Sequence, residues 1–289
     1  MRKNSIRKGV LHSSLLGSRA AGGAKTRMAG VAVAAAIAAA GAWGLSAGYA
    51  RLKALWLEQC VVTDVSRQVR VITGSNIKPD VILWQFGLKN GANLAKIDFE
   101  SLRRRILETT PNIRSLSVVR KLPSRVEITV EERDPVARMN TEGGRSRNTG
   151  RVADAEGVVF MRQDRSTALL PVLFEPKNQS TPPGARLEGR ARAALSLICA
   201  CREPELAELG VQAVLTRHPD HLTAILKDYK KAYVSWEGID SPSPESDAAM
   251  RKQLECLRDT RREPSSAAAL VFNATEPMKV FADTKEPIP

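Results

Sequence analysis

Three histidines, four cysteines and one adjacent carboxylate pair are the side chains of this 289-residue chain best equipped for chemistry. His218-Pro219-Asp220-His221 sets two imidazoles beside an acid. A turn containing proline does not hold both rings on one face as a helical spacing of four does, so these read as solvated turn residues rather than metal ligands. His12 stands apart in the N-terminal tail. Cys199 and Cys201 form a C-x-C pair, with Cys60 and Cys256 remote from it. On a helix that spacing points the sulfurs apart, and no second pair completes a zinc-like set. Two readings stand: buried thiols, or a bridge from Cys199 or Cys201 to Cys256 if the chain is exported to an oxidising compartment. Glu131 and Glu132 are neighbours on a strand, so their carboxylates face opposite sides and cannot act on one substrate. No G-x-S-x-G, P-loop or H-E-x-x-H run occurs, and Gly143-Gly144 is an isolated loop pair. These residues point to no catalytic site, no cofactor and no metal, which leaves binding.

The elements that would present a binding surface begin with the charge distribution. The formal net charge is +13, and seven of the excess cations, Arg2, Lys3, Arg7, Lys8, Arg19, Lys25 and Arg27, lie in residues 1–28 without a single acid. That segment, rich in Ser, Gly and Ala, is expected to be an unordered basic tail. Residues 29–50 follow with no charged side chain, half of them Ala. As a helix they reach about 33 Å, enough for a hydrocarbon core of about 30 Å. Trp43 and Tyr49 sit toward the C-terminal end, and Arg51 and Lys53 close the stretch. The reading is a single transmembrane helix, Ala29 to Ala50, with the basic tail in the cytoplasm and the rest outside. A soluble Ala-rich helix and a cleavable signal peptide are the alternatives. The basic excess then serves topology, and the chain is expected to bind neither nucleic acid nor a small-molecule substrate. An aromatic content of 4% offers few stacking platforms for bases.

Residues 51–64 read as a membrane-proximal connector. From Val65 the period changes to that of a strand, with Val65, Arg67, Val69, Val71 and Thr73 on one side. Pro79-Asp80 opens a helix with Val81, Ile82 and Phe86 on its apolar face. Asp98 caps a second helix carrying Phe99, Leu102 and Ile106, with Arg103, Arg104 and Arg105 on a solvated face. Ile113–Arg120 and Arg125–Glu131 form a hairpin, the latter alternating Val126, Ile128 and Val130 with polar residues. Strand, helix, helix, strand, strand makes an α+β layer.

These residues resemble a known family. Val69-Arg70-Val71-Ile72-Thr73-Gly74, Leu88-Lys89-Asn90-Gly91-Ala92-Asn93-Leu94, the run Thr110 to Pro123 and above all Glu132-Arg133-Asp134-Pro135-Val136-Ala137 look like the POTRA domain of the FtsQ/DivIB bacterial cell-division proteins and the "ER-x-P-V-A" segment that follows it. The implied fold is α+β: an N-terminal transmembrane helix, a POTRA domain (β-α-α-β-β), then a larger mixed β-sheet domain with flanking helices. The corresponding boundaries are 1–28 tail, 29–50 span, 51–64 connector, 65–134 POTRA domain, 135–282 β domain and 283–289 C-terminal tail.

In the second half, Val136–Met139, Arg151–Ala153 and Val158–Phe160 read as strands, with Asp154-Ala155-Glu156-Gly157 as a hairpin turn similar to the family's "D-x-x-G-x-x-F". Leu170–Leu173 is a further strand, Arg190–Arg202 a helix, and Val211–Thr216, Leu222–Leu226 and Ala232–Trp236 a meander. A helix from Glu245 to Arg258 and strands Ala268–Asn273 and Met278–Ala282 complete the chain. The resemblance implies a non-enzymatic divisome scaffold in the bacterial inner membrane at the division septum. It would link early and late division proteins and bind FtsB/FtsL-type single-pass partners outside the membrane. The last strand would take up the partner as an added strand. On this sequence the surface is Leu270, Val271, Phe272, Val280 and Phe281, supported by Tyr233 and Trp236; each also fits ordinary sheet core. A POTRA-bearing translocation or outer-membrane assembly component is the rival, but only one POTRA-like unit is visible and no barrel of alternating ten-residue strands follows it.

Overall fold

The computed structural model describes residues 20–121, 123–143 and 149–284; within the first helix, the side chains of residues 20–36 and of Ala39 lie outside that description. The chain divides into two compact units: residues through Val61 with Asn93–Ala95, and Val62–Ala92 with the chain from Lys96 onward.

Helix α1 spans Ala20–Gln59 and forms most of the first unit. It begins at Ala20, inside the expected unordered tail; residues 1–19 of that tail lie outside the described residues. Its C-terminal end is tied down locally. Asn93 donates from Nδ2 to the Leu57 carbonyl at 2.8 Å, and the Leu94 amide reaches the Cys60 carbonyl at 2.9 Å. Among the described residues, no helix is long and apolar enough to cross a membrane. Ala29 to Ala50 is helical throughout, yet part of it lies outside the described side chains, and alanine contributes little apolar surface per residue.

The second unit opens with a departure from the sequence expectation. Val65–Gln68 is a helical turn, α2, and strand β1 is only Val69–Ile72. Asp64 accepts from the Ser66 amide and hydroxyl at 3.0 and 2.6 Å, while Gln68 Oε1 accepts from the amides of Thr63 and Asp64 at 2.7 and 2.9 Å. These short-range side-chain bonds compete successfully with a sheet ladder. Helices α3, Pro79–Gln85, and α4, Phe99–Thr109, follow as expected, the latter with Asp98 accepting from Ser101. Strands β2, Ile113–Lys121, and β3, Arg125–Glu132, form the hairpin. The sheet order is β1-β3-β2, with β1 parallel to β3. Ile82, Phe86, Phe99, Ile106, Leu116 and Ile128 are buried in this layer. Val81 is exposed, and Arg103 is not wholly solvated: its Nε reaches the Leu116 carbonyl at 2.6 Å, tying α4 to β2.

A nine-stranded sheet follows. Its strands are β4 (Pro135–Thr141), β5 (Arg151–Asp154), β6 (Val159–Met161), β7 (Val172–Glu175), β8 (Val211–Leu215), β9 (Leu222–Leu226), β10 (Lys231–Val234), β11 (Val271–Ala274) and β12 (Phe281–Asp283). Their order is β12-β11-β10-β9-β8-β7-β4-β5-β6. Helix α5, Gly189–Ala200, crosses between the parallel strands β7 and β8, and α6, Pro244–Arg262, between the parallel strands β10 and β11. The two helices share one core with Leu173, Val214, Ala224, Val234 and Phe272 from the sheet. The Asp154–Gly157 turn forms as expected: Gly157 sits at φ +85°, and Asp154 accepts from the Val158 amide at 2.8 Å. All four cysteines are free, so no bridge joins Cys199 or Cys201 to Cys256. Burial raises the Cys199 thiol pKa and pushes that of Cys201 up to about 12, which keeps both protonated at neutral pH.

Candidate partner-binding sheet edge

The two ends of the large sheet are finished differently. At β6 the chain seals its own edge: the Val159 amide donates to Ala185, the Gly184 amide to Val159 and the Leu187 amide to Gly157, at 2.8–3.0 Å. At the other end β12 pairs antiparallel with β11 through Phe272↔Ala282 and Asn273↔Phe281, and no described strand lies beyond it. All three residues of β12 are exposed. An edge of this kind is a template for a further strand.

The residues singled out from sequence divide into two groups here. Phe281 and Leu270 are 54% and 56% exposed, and Met278, which the sequence reading passed over, is exposed beside them. Val280 is partly buried against the core. Val271 and Phe272 are buried, their side chains enclosed in the sheet, so they support the edge and offer no contact surface. Trp236 is likewise buried: its Nε1 donates to Ser246 Oγ at 2.9 Å, and Ser246 Oγ donates to the Gly238 carbonyl at 2.9 Å. It anchors the first turn of α6, where Ser243 caps the helix by accepting from the Ser246 amide. Strand β11 begins later than the alternation suggests, at Val271, and β12 later still, at Phe281. The backbone between them turns at Met278, φ +57°.

The turn that joins β11 to β12 is fixed by a residue that sequence reasoning missed. Gln253 lies buried in the apolar stripe of α6 between Met250 and Leu254. Its Nε2 donates to the carbonyls of Ala274 and Glu276, both at 2.9 Å, and of Lys279 at 3.2 Å; its Oε1 accepts from the Met278 amide at 2.8 Å. The signal was an amide in a stripe that otherwise reads Met250, Leu254, Leu257, since a buried amide needs partners.

Tyr233 is half-buried, and His221 packs edge-on against its ring at 4.9 Å, with His218 stacked on His221 at 4.5 Å. His221 is therefore more than a solvated turn residue. Burial lowers its pKa, the charge of His218 lowers it further, and its Nε2 is enclosed without a partner. Among the described residues, no group of three or more His, Cys, Asp or Glu could hold a metal ion.

The segment between the two sheets forms a second polar cluster. Arg133 donates from Nη1 to Asp154 at 2.5 Å and to Glu156 at 3.2 Å, and from Nε to the Pro111 carbonyl at 3.0 Å. Arg114 also binds Glu156, at 2.8 Å. Glu132 accepts from the amides of Asn76 and Ile77; burial works to raise its pKa, but these bonds and that from the Asn76 side chain outweigh it and lower it. The β-α-α-β-β layer, with β1 parallel to β3, thus ends in a segment whose charged residues are fixed on both sides. Residues 66–133 match the family model described as POTRA domain, FtsQ-type. This stretch is similar to an FtsQ-type POTRA domain. The match supports the FtsQ/DivIB resemblance read from the sequence, and it covers the layer that precedes Pro135. A search of curated proteins found no match to the chain. Glu131 and Glu132, the last residues of β3 in this POTRA-like stretch, point to different partners, Arg114 and Ser115 for one and Asn76 and Ile77 for the other.

Proposed function

We propose that the protein is a non-enzymatic scaffold of the bacterial division machinery, anchored in the inner membrane through Ala29 to Ala50 and acting at the septum through its exported domains. The carrying observation is the match of residues 66–133 to an FtsQ-type POTRA domain, followed by a large sheet whose last strand has no neighbour beyond it among the described residues. The anchor rests on 22 uncharged residues that α1 holds in helical form, behind a tail with seven cations and no acid. The working boundaries are 65–134 for the POTRA domain and 135–282 for the β domain.

In this reading an FtsB/FtsL-type partner adds a strand to β12. Backbone hydrogen bonds supply affinity, and alternate side chains set against Phe281 and Leu270 supply specificity. Tyr233 and Val280 border the surface, while Val271, Phe272 and Trp236 hold its shape. Fluorescent-fusion imaging with depletion tests the cellular role: septal signal and blocked septation are expected, and diffuse signal with normal division overturns it. Capture of division partners by the full-length chain, with and without residues 281–289, tests the strand. Equal recovery counts against β12.

A further inference from the structure

The sheet face turned away from α5 and α6 carries a groove of about 570 Å³. Its floor is a row of residues in register across four strands, Arg138↔Val172, Val172↔Ala213 and Ala213↔Ile225, so their side chains share that face. Leu169 and Tyr229 line its rim. They are the two most exposed large apolar side chains among the described residues, at 89% and 84%. Tyr229 is also held at φ +63°, a conformation an aromatic residue seldom adopts, in a turn that leaves its ring in solvent. Two such side chains flanking an apolar floor mark an interaction site.

The fold restricts what can occupy the groove. β7, β8 and β9 are each paired on both sides, so their backbones have no edge to offer an added strand. An occupant must bring side chains while satisfying its own backbone, as an amphipathic helix does. Charge narrows the choice further. Arg138 lies in the groove with Nε on the Leu170 carbonyl at 3.1 Å and makes no ion pair among the described residues. Neither do Arg165, four residues before Leu169, nor Lys227, in the turn of Tyr229. The nearby acids are already engaged, Asp164 with Arg162 and Asp228 with Lys230 and Arg261. A second copy, whose residues 29–289 still carry 37 basic against 31 acidic side chains, would bring like charge.

We propose that this groove docks an acidic amphipathic helix of another protein, its apolar side chains seated over Val172 and Ile225 between Leu169 and Tyr229. This site is separate from β12 and does not rest on the strand-addition reading. The test places a photo-crosslinking amino acid at Leu169, at Tyr229 or at Phe281 in the full-length chain, expressed in its own cells, and sequences the crosslinked peptides. The first two positions are expected to capture one common segment with apolar residues at i, i+3, i+4 and i+7 and a net negative charge. Arg138→Gln should reduce that capture about tenfold, the loss of a hydrogen bond to a charged group, and Arg138→Lys should retain most of it. Capture of this same chain, of lipid alone or of a basic or non-helical segment overturns the proposal. So does no capture at either position, whatever the Phe281 probe records, since that probe reports only on β12.

Discussion

Gln253→Leu tests whether the open strand is held in place by one buried amide of α6. The substitution keeps the side chain's approximate size and removes its bonds to the β11–β12 turn. Two amide hydrogens of Nε2 are shared among the carbonyls of Ala274, Glu276 and Lys279, and Oε1 takes the Met278 amide. Ala274 keeps a bond from the Ser235 amide, and Glu276 one from the Lys279 amide. The Met278 N–H and the Lys279 carbonyl lose their partner. Three effective bonds at about 1 kcal/mol each give a loss of about 3 kcal/mol. Rehydration of a turn so near the surface reduces this to about 2 kcal/mol at the low end.

If the loss falls on local detachment of β12, the open population rises about 30- to 150-fold. Native-state amide exchange on the full-length chain reads this directly. Protection of Phe281–Asp283 should fall by that factor, with β8 and β9 changing far less. Unchanged exchange in β12 would refute the argument. An equal fall in β8 and β9 would refute it too, because Gln253 would then be supporting the whole core.

Arg133→Met strands the buried Asp154 carboxylate and should lower stability to urea by about 3 kcal/mol. Phe281→Ser should change the melting stability by less than about 0.5 kcal/mol while weakening partner capture. Trp236→Phe should do the opposite, losing about 1 kcal/mol with its bond to Ser246 and leaving capture intact. His221 has its pKa lowered from 6.5 by burial and by His218, with Arg190 adding to the effect and Asp220 opposing it. The unfolded chain therefore takes up the proton first as pH falls. Stability should be fully present above 6.5 and decline as pH drops toward the lower folded value, and His221→Phe should flatten that slope in a series of urea midpoints.

Features set by neighbours in the chain were legible in the sequence. The alternation of Val126, Ile128 and Val130 gave β3, Asp98 gave the start of α4, and the Asp154–Gly157 turn gave the β5–β6 hairpin, because each depends on periodicity or on a bond within a few residues. The α2 turn misled for a related reason: apolar alternation over Val65–Ile72 was real, but Asp64 and Gln68 bond locally and take the first four residues out of the strand. The candidate site was legible as a region and not as a surface. Phe281 and Val271 are both apolar and near the last two strands, and only burial separates one as exposed and the other as core. Gln253 and Arg133 find their partners far along the chain, so nothing in the sequence around them named those partners.

Among the described residues, the two edges of the large sheet are treated unequally. An uncovered edge invites unwanted pairing, and this chain covers the β6 edge with the segment around Gly184–Leu187. The same remedy is absent at β12 among the described residues, although α6 fixes the preceding turn through a buried glutamine. A frayed terminal strand would need no such residue. Fixing the turn before β12 while leaving its side chains exposed would lower the ordering cost for an incoming strand. The groove on the helix-free face answers a different geometry, since its strands are paired on both sides and can be met only by side chains. On the proposed readings, one sheet would offer two kinds of surface, an edge for a strand and a face for a helix, as a scaffold that holds several partners at once requires.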